Sequence, residues 1–149
     1  MIRKWRRTDL DAISLIWLET NIKAHDFIAA EYWQQQLPAV KEMLPQADLY
    51  LWESEGQIKG FMGLMDNYIA GIFVLEEAQG QGIGKQLLDY AKDISERLVL
   101  KVYEKNQGAM KFYKREGFRI ASRGLDESTG ETEYEMQWEK CADKQKLEK

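Results

Sequence analysis

The chain has 149 residues, 44% of them hydrophobic and 31% charged, which is the size and balance of one globular domain. Its 21 Lys and Arg against 25 Asp and Glu leave a net charge of −4, so it lacks the basic footprint that nucleic acid binding requires. A single cysteine, Cys141, and a single histidine, His25, exclude an internal disulfide, a Cys-rich cluster and a multi-His metal site; no metal is expected, and chemistry must come from a bound small molecule or a few ordinary side chains.

In chain order, Ile2 to Trp5 reads as a short strand, followed by a helix capped at Thr8 with Leu10, Ile13, Ile16, Trp17 and Thr20 at helical spacing. A second helical stretch covers about Asp26 to Leu44, and Pro38 within it predicts a kink or two shorter helices. Three strands follow, Leu49 to Glu53, Ile58 to Met65 and Tyr68 to Val74, joined by hairpin-length turns into an antiparallel meander. Ile83, Leu87, Ala91, Ile94 and Leu98 then repeat with the period of a helix, before a strand-like run from Leu98 to Val102. A helix from about Gln107 to Glu116, ended by Gly117, and the strands Phe118 to Ser122 and Thr132 to Trp138 complete the order β-α-α-β-β-β-α-β-α-β-β. The expected domain is 1–139, with 140–149 as a charged tail. The longest near-apolar run, Tyr68 to Leu75, is far short of the roughly 18 residues of a membrane helix, so a cytoplasmic protein with no membrane partner is expected.

Between the third meander strand and the next helix lies Gln79-Gly80-Gln81-Gly82-Ile83-Gly84-Lys85. Glycines at a strand-to-helix turn let successive N–H groups face one concavity, where the helix N-terminus adds partial positive charge, and the natural occupant is a phosphate. A nucleotide P-loop is excluded, because Gln79 stands five before Gly84 and Gln86 follows Lys85. A dinucleotide fingerprint fails as well, since its third glycine would fall on Lys85 or Leu87. By themselves the glycines also suit a plain tight turn.

Gln79, Gly82 and Gly84 do fit the spacing Q/R-x-x-G-x-G/A, and Asn106, Ala109, Phe112, Tyr113, Gly117 and Phe118 fit N-x-x-A-x-x-F-Y-x-x-x-G-F. On these two motifs, in this order, the chain resembles the GNAT superfamily of N-acetyltransferases over about Met1 to Trp138. The segment His25-Asp26-Phe27-Ile28, with Glu31-Tyr32-Trp33, is similar to that of a small bacterial branch, the YjaB/YiaC-like acetyltransferases.

The resemblance implies an α/β (α+β) fold, the GNAT acyl-CoA N-acyltransferase fold, with a mixed, splayed β-sheet flanked by helices. It implies an acetyl-CoA-dependent transferase that passes acetyl directly to a primary amine in a ternary complex, with Tyr113 protonating the departing thiolate. The coenzyme contacts it implies are Ile72, Phe73 and Val74 on the strand, Gln79, Gly80, Gln81, Gly82, Ile83, Gly84 and Lys85 in the loop, and Asn106 and Tyr113 beyond. The motif residues also have structural uses: Asn106 suits an N-cap, Ala109, Phe112 and Tyr113 suit a core face, and Gly117 suits a left-handed cap. Gly71 either marks a bulge that splays the strand or makes room for a bulky neighbour.

His25 and Phe27 are the candidate substrate-side residues, His25 being the one imidazole available as a base, though beside Asp26 it equally fits a capping group. Asp126, Glu127, Glu131, Glu133 and Glu135, with no Lys or Arg between Leu125 and Glu139, suggest a surface that attracts a cationic amine, on a small molecule or at a protein lysine or N-terminus; a solvated turn is the alternative. The rival function is a non-catalytic acyl-CoA-binding sensor, and the assembly expected is a monomer or homodimer.

Overall fold

A computed structural model describes residues 1–140. The tail from Cys141 onward lies outside the described residues, while the Lys140 N–H still donates to the Glu96 carbonyl at 2.8 Å. Seven strands form one sheet: β1 (Ile2–Lys4), β2 (Asp48–Ser54), β3 (Gln57–Met65), β4 (Tyr68–Val74), β5 (Arg97–Tyr103), β6 (Arg119–Asp126) and β7 (Glu131–Glu139), in the order β1-β2-β3-β4-β5-β7-β6. Every pairing is antiparallel except β4 with β5, which is parallel. The helices are α1 (Leu10–Ala24), α2 (Ala30–Met43), α3 (Ile83–Ile94) and α4 (Gln107–Arg115). This is the expected mixed α/β architecture in the expected element order.

Alternation along the strands sends side chains to two cores, one on each face. Leu49, Leu51 and Phe61 pack with Ile13 and Ile16 of α1. Met62, Ile69, Leu98, Leu100 and Met136 face the other way, onto Ile83, Leu87, Leu88 and Ala91 of α3 and Met110 and Tyr113 of α4. The apolar stripe of α3 is therefore the buried face that its spacing implies.

Strand β6 runs on to Asp126 rather than ending at Ser122, β1 and β7 shift by a residue at their ends, and three helix boundaries differ from the sequence expectation. Asp9, not Thr8, precedes α1, after a 3-10 turn at Arg7–Asp9; its carboxylate accepts from the Arg6 N–H at 2.7 Å and pairs with the Arg3 guanidinium at 2.9 Å. Residues 25–29 form a turn rather than the start of a helix, because His25 leaves helical geometry (φ −122°, ψ 61°) to direct its ring inward. From Ala30 onward α2 runs unbroken through Pro38 to Met43, and a 3-10 turn containing Pro45 follows it. Gln34, whose carbonyl loses its partner to Pro38, is exposed, so water satisfies the group that a buried helix would have left orphaned.

The feature that positions the site is a break between β4 and β5. Only Tyr68 with Val99 and Ile69 with Leu100 are paired; beyond them the strands part. The register of β4 on β3 jumps there, from Leu64 opposite Ile69 to Gly63 opposite Gly71, so Ala70 is an extra, bulged residue. Gly71 follows the bulge, and a Cβ on it would lie 2.2 Å from the Phe73 ring. Both readings of Gly71 thus hold: it adjoins the bulge and it yields space to Phe73.

Candidate active site

Beyond the bulge, Ile72, Phe73 and Val74 keep their hydrogen-bonding register with β3 but have no partner strand on the other side. Their backbone groups on that side line a cleft of about 1080 Å³. Its walls are the C-terminal end of α1 with His25, the edge of β4, the turn before α3, and the face of α4 carrying Asn106, Ala109, Phe112 and Tyr113.

At one end of the cleft the glycine turn has the backbone geometry that an anion cradle needs. Gly80 and Gly82 both sit at φ +81°, where an L side chain is strained, and a Cβ on either would meet no protein atom within 4 Å. Gly82 caps α3 without a side-chain bond, and the first turn of α3 holds no acidic residue. Its first N–H groups are thereby left for an outside acceptor, the requirement for holding a pyrophosphate. Gln79 also lines the cleft, and its side-chain amide donates to the Val74 carbonyl at 3.0 Å, tying the turn to the end of β4. Lys85 lies on the cleft wall with its ammonium between Asp89 (3.1 Å) and Glu116 (3.2 Å). Gly80, Gly82, Ile83 and Gly84 line the cleft; Gln81 does not.

Asn106 and Tyr113 meet the same cleft from α4. Asn106 is the N-cap, its Oδ1 accepting the Ala109 N–H at 3.2 Å. Gly117 at φ +97° ends the helix, and the Phe118 N–H turns back to the Tyr113 carbonyl at 2.9 Å. Tyr113 is 8% exposed, packed edge-on to Phe112 and Phe118. Burial raises its pKa well above the ordinary phenol value, so it stays protonated.

The second candidate region is aromatic. The His25 ring stacks on Trp33 at 5.3 Å and meets Phe27 and Tyr103 edge-on at 5.6 and 5.1 Å. Burial lowers its pKa, and its Nε2 lies 3.2 Å from the Asn106 Nδ2. Phe27 packs on His25 and Tyr103 and lies outside the cleft lining, so of the two substrate-side candidates only His25 reaches the cleft.

A network not visible in the sequence extends from this cluster. The Tyr103 hydroxyl donates to Asp126 at 2.5 Å, Ser128 Oγ donates to the same carboxylate at 2.7 Å, and the Tyr32 hydroxyl lies 2.9 Å from Ser128 Oγ. It joins α2 to the β6–β7 hairpin. The hairpin is also less negative than its composition suggests, for Lys105 pairs with Glu131 at 3.1 Å and Lys101 approaches Glu133 at 3.9 Å. Those cations come from β5 and the turn after it, about thirty residues away in the chain.

The site thus combines a sheet split between β4 and β5, a glycine turn at the N-terminus of α3 and a buried phenol at the opening. The sequence profile of the Acetyltransferase (GNAT) family matches residues 9–118, and the chain belongs to that family. It is an N-acetyltransferase. The chain is 37% identical over 140 residues to the peptidyl-lysine N-acetyltransferase YiaC of Escherichia coli (strain K12), covering 93% of this chain and 96% of that one. It is 31% identical over 130 residues to the peptidyl-lysine N-acetyltransferase YjaB of the same organism, covering 87% and 88%. The solution structure of apo-form YjaB from Escherichia coli superposes with a TM-score of 0.83 at 28% identity, covering 93% of this chain and 96% of that one. A Bacillus anthracis structure described as a streptothricin acetyltransferase in complex with acetyl coenzyme A aligns at a TM-score of 0.57 and 25% identity, covering 62% and 63%.

Proposed function

We propose that the protein transfers the acetyl group of acetyl-CoA to the side-chain amine of a lysine in a peptide or protein, by direct attack within a ternary complex. The observation that carries this reading is the opening between β4 and β5, with the glycine turn at one end and Tyr113 facing it from α4. The edge of Ile72 to Val74, which no strand pairs on the cleft side and whose Val74 carbonyl alone is held by Gln79, suits an amide-rich pantetheine arm, and the N–H groups at the start of α3 suit the pyrophosphate. Gly80, Gly82, Ile83, Gly84 and Lys85 form this coenzyme end, while Gln79 positions the turn.

The neutral amine attacks the thioester carbonyl carbon, the C–S bond breaks, and the Tyr113 phenol gives its proton to the departing sulfur. In water that transfer runs uphill, from a phenol of pKa near 10 to a thiolate whose acid has pKa near 8.5. Burial raises the Tyr113 phenol further, yet the same desolvation raises the basicity of a thiolate released beside it. The proton lost by the attacking amine restores the phenol. Lysine as acceptor is supported by the names of the two relatives and by Asp126, Glu127 and Glu135, the hairpin carboxylates that make no ion pair among the described residues.

The test is thiol release from acetyl-CoA across lysine peptides, small amines and peptides with a free N-terminus as the only amine. Lysine peptides should turn over fastest. Release with none of them would leave a coenzyme-binding protein without transferase chemistry.

A further inference from the structure

The hydrogen bond between His25 and Asn106 fixes which proton the imidazole carries. Asn106 has one acceptor and one donor group, and its Oδ1 is occupied by the Ala109 N–H at 3.2 Å. The group facing His25 Nε2 at 3.2 Å is therefore the Nδ2 amide, which can only donate. The imidazole must accept through the Nε2 lone pair, and its proton sits on Nδ1. That Nδ1 is buried without a well-formed hydrogen bond, and the acceptor that bears on the ring is the Asn21 backbone carbonyl. The surroundings agree: Phe27 from the turn, Trp33 from α2 and Tyr103 from β5 enclose the ring, and the Tyr103 hydroxyl is committed to Asp126. None of these packed groups offers the ring a carboxylate.

We propose that His25 is a positioning residue: it accepts the Asn106 amide through Nε2, and so ties the turn after α1 to the N-terminus of α4 across the cleft, and it takes no proton from the acceptor amine. A base would need a free lone pair facing the substrate, and the one lone pair of this neutral ring is already used. Protonating it would set two donors against each other 3.2 Å apart. Its function is to hold Asn106, and with it the first turn of α4, in place on the wall that carries Tyr113.

Because His25 is the one histidine of the chain, its tautomer can be read without assignment in the untagged, full-length, ¹⁵N-labelled protein by two-bond ¹H–¹⁵N correlation at pH 7.5. The expected spectrum shows a pyrrole-type Nδ1 and a pyridine-type Nε2. A protonated Nε2 or an imidazolium overturns the assignment. The kinetic part rests on the acetyl-transfer reading above and uses two variants. His25→Gln keeps an acceptor oxygen but cannot take up a proton, so its kcat should fall by less than about tenfold and its pH–rate profile should keep the acidic limb of wild type. His25→Ala should raise the acetyl-CoA Kd and KM by about three- to tenfold, the size of one lost hydrogen bond, with a smaller change in kcat. A kcat loss of about 10²–10⁴ in His25→Gln, with loss of the acidic limb of its profile, would make His25 a base and overturn the proposal. Unchanged Kd and KM in His25→Ala would overturn the tie to α4. If wild type itself releases no thiol, the transfer reading fails, while the spectrum and the Kd still decide the role of His25.

Discussion

Tyr113 is a buried phenol whose ring packs as a phenylalanine would, on Phe112 and Phe118, and whose hydroxyl has no hydrogen-bond partner among the described residues. A buried phenol O–H usually finds a partner, and in the proposed reaction this one is free to donate to the departing sulfur. Tyr113→Phe should therefore leave the melting temperature and the acetyl-CoA Kd close to wild type and lower kcat by about 10²–10⁴. Calorimetric titration and thiol-release kinetics separate the two quantities. His25 gives a second consequence at this scale. Its folded-state pKa lies below the ordinary histidine value because burial penalises the charged ring. As pH falls below about 6.5 the unfolded chain takes up a proton that the folded chain refuses, so stability is full above that value and declines below it. Urea melts at pH 7.5 and 5.5 should show a larger loss for wild type than for His25→Gln; equal losses would place the ring in water. The sequence offered His25 as the one titrating side chain but not its tautomer, because that depends on Asn106, 81 positions away.

Among the elements, β4 carries the site, and its bulge at Ala70 is the local cause of the opening. Gly71→Ala places a methyl 2.2 Å from the Phe73 ring, in a strand whose backbone forms the cleft edge. The ring would have to leave its contact with Phe61, and a loss of about 1–3 kcal/mol is expected, the scale of an overpacked core, together with weaker coenzyme binding. Thermal melts with and without acetyl-CoA read both effects. Gly82→Ala is different in kind: the added methyl meets no protein atom, so the expected cost is about 1–2 kcal/mol of left-handed strain. The strand and helix pattern was legible because β2 to β4 are short apolar runs separated by turn residues and apolar residues recur at helical spacing in α3. Local spacing did not show that Pro38 would be absorbed within α2, whose exposed Gln34 carbonyl is open to water. Nor did it show that the acidic hairpin would meet Lys101 and Lys105, since strand order sets those contacts.

At the scale of the molecule, two cores grip the sheet from opposite faces, and the cleft lies where they separate. The glycine loop and the Asn106–Phe118 motif were readable because each meets a local backbone demand, a left-handed turn and a capped helix. Their meeting at one cleft follows from the parting of β4 and β5, which two-residue pairing records and no local spacing does. A ligand bridging both walls should stabilise the whole fold: at a hundred times its Kd, acetyl-CoA adds about 2.7 kcal/mol, or about 5–10 °C in Tm for a chain of this size. A scan at several coenzyme concentrations measures the rise, and ATP at equal concentration should give much less. The most direct test joins this cleft to its chemistry: incubate a lysine peptide with acetyl-CoA and either wild type or Tyr113→Phe, each saturated with coenzyme, and follow the peptide by mass spectrometry. The account predicts one acetyl group on the lysine with wild type and a rate about 10²–10⁴ lower with the variant. Equal rates, or no acetylated lysine with wild type, would contradict it.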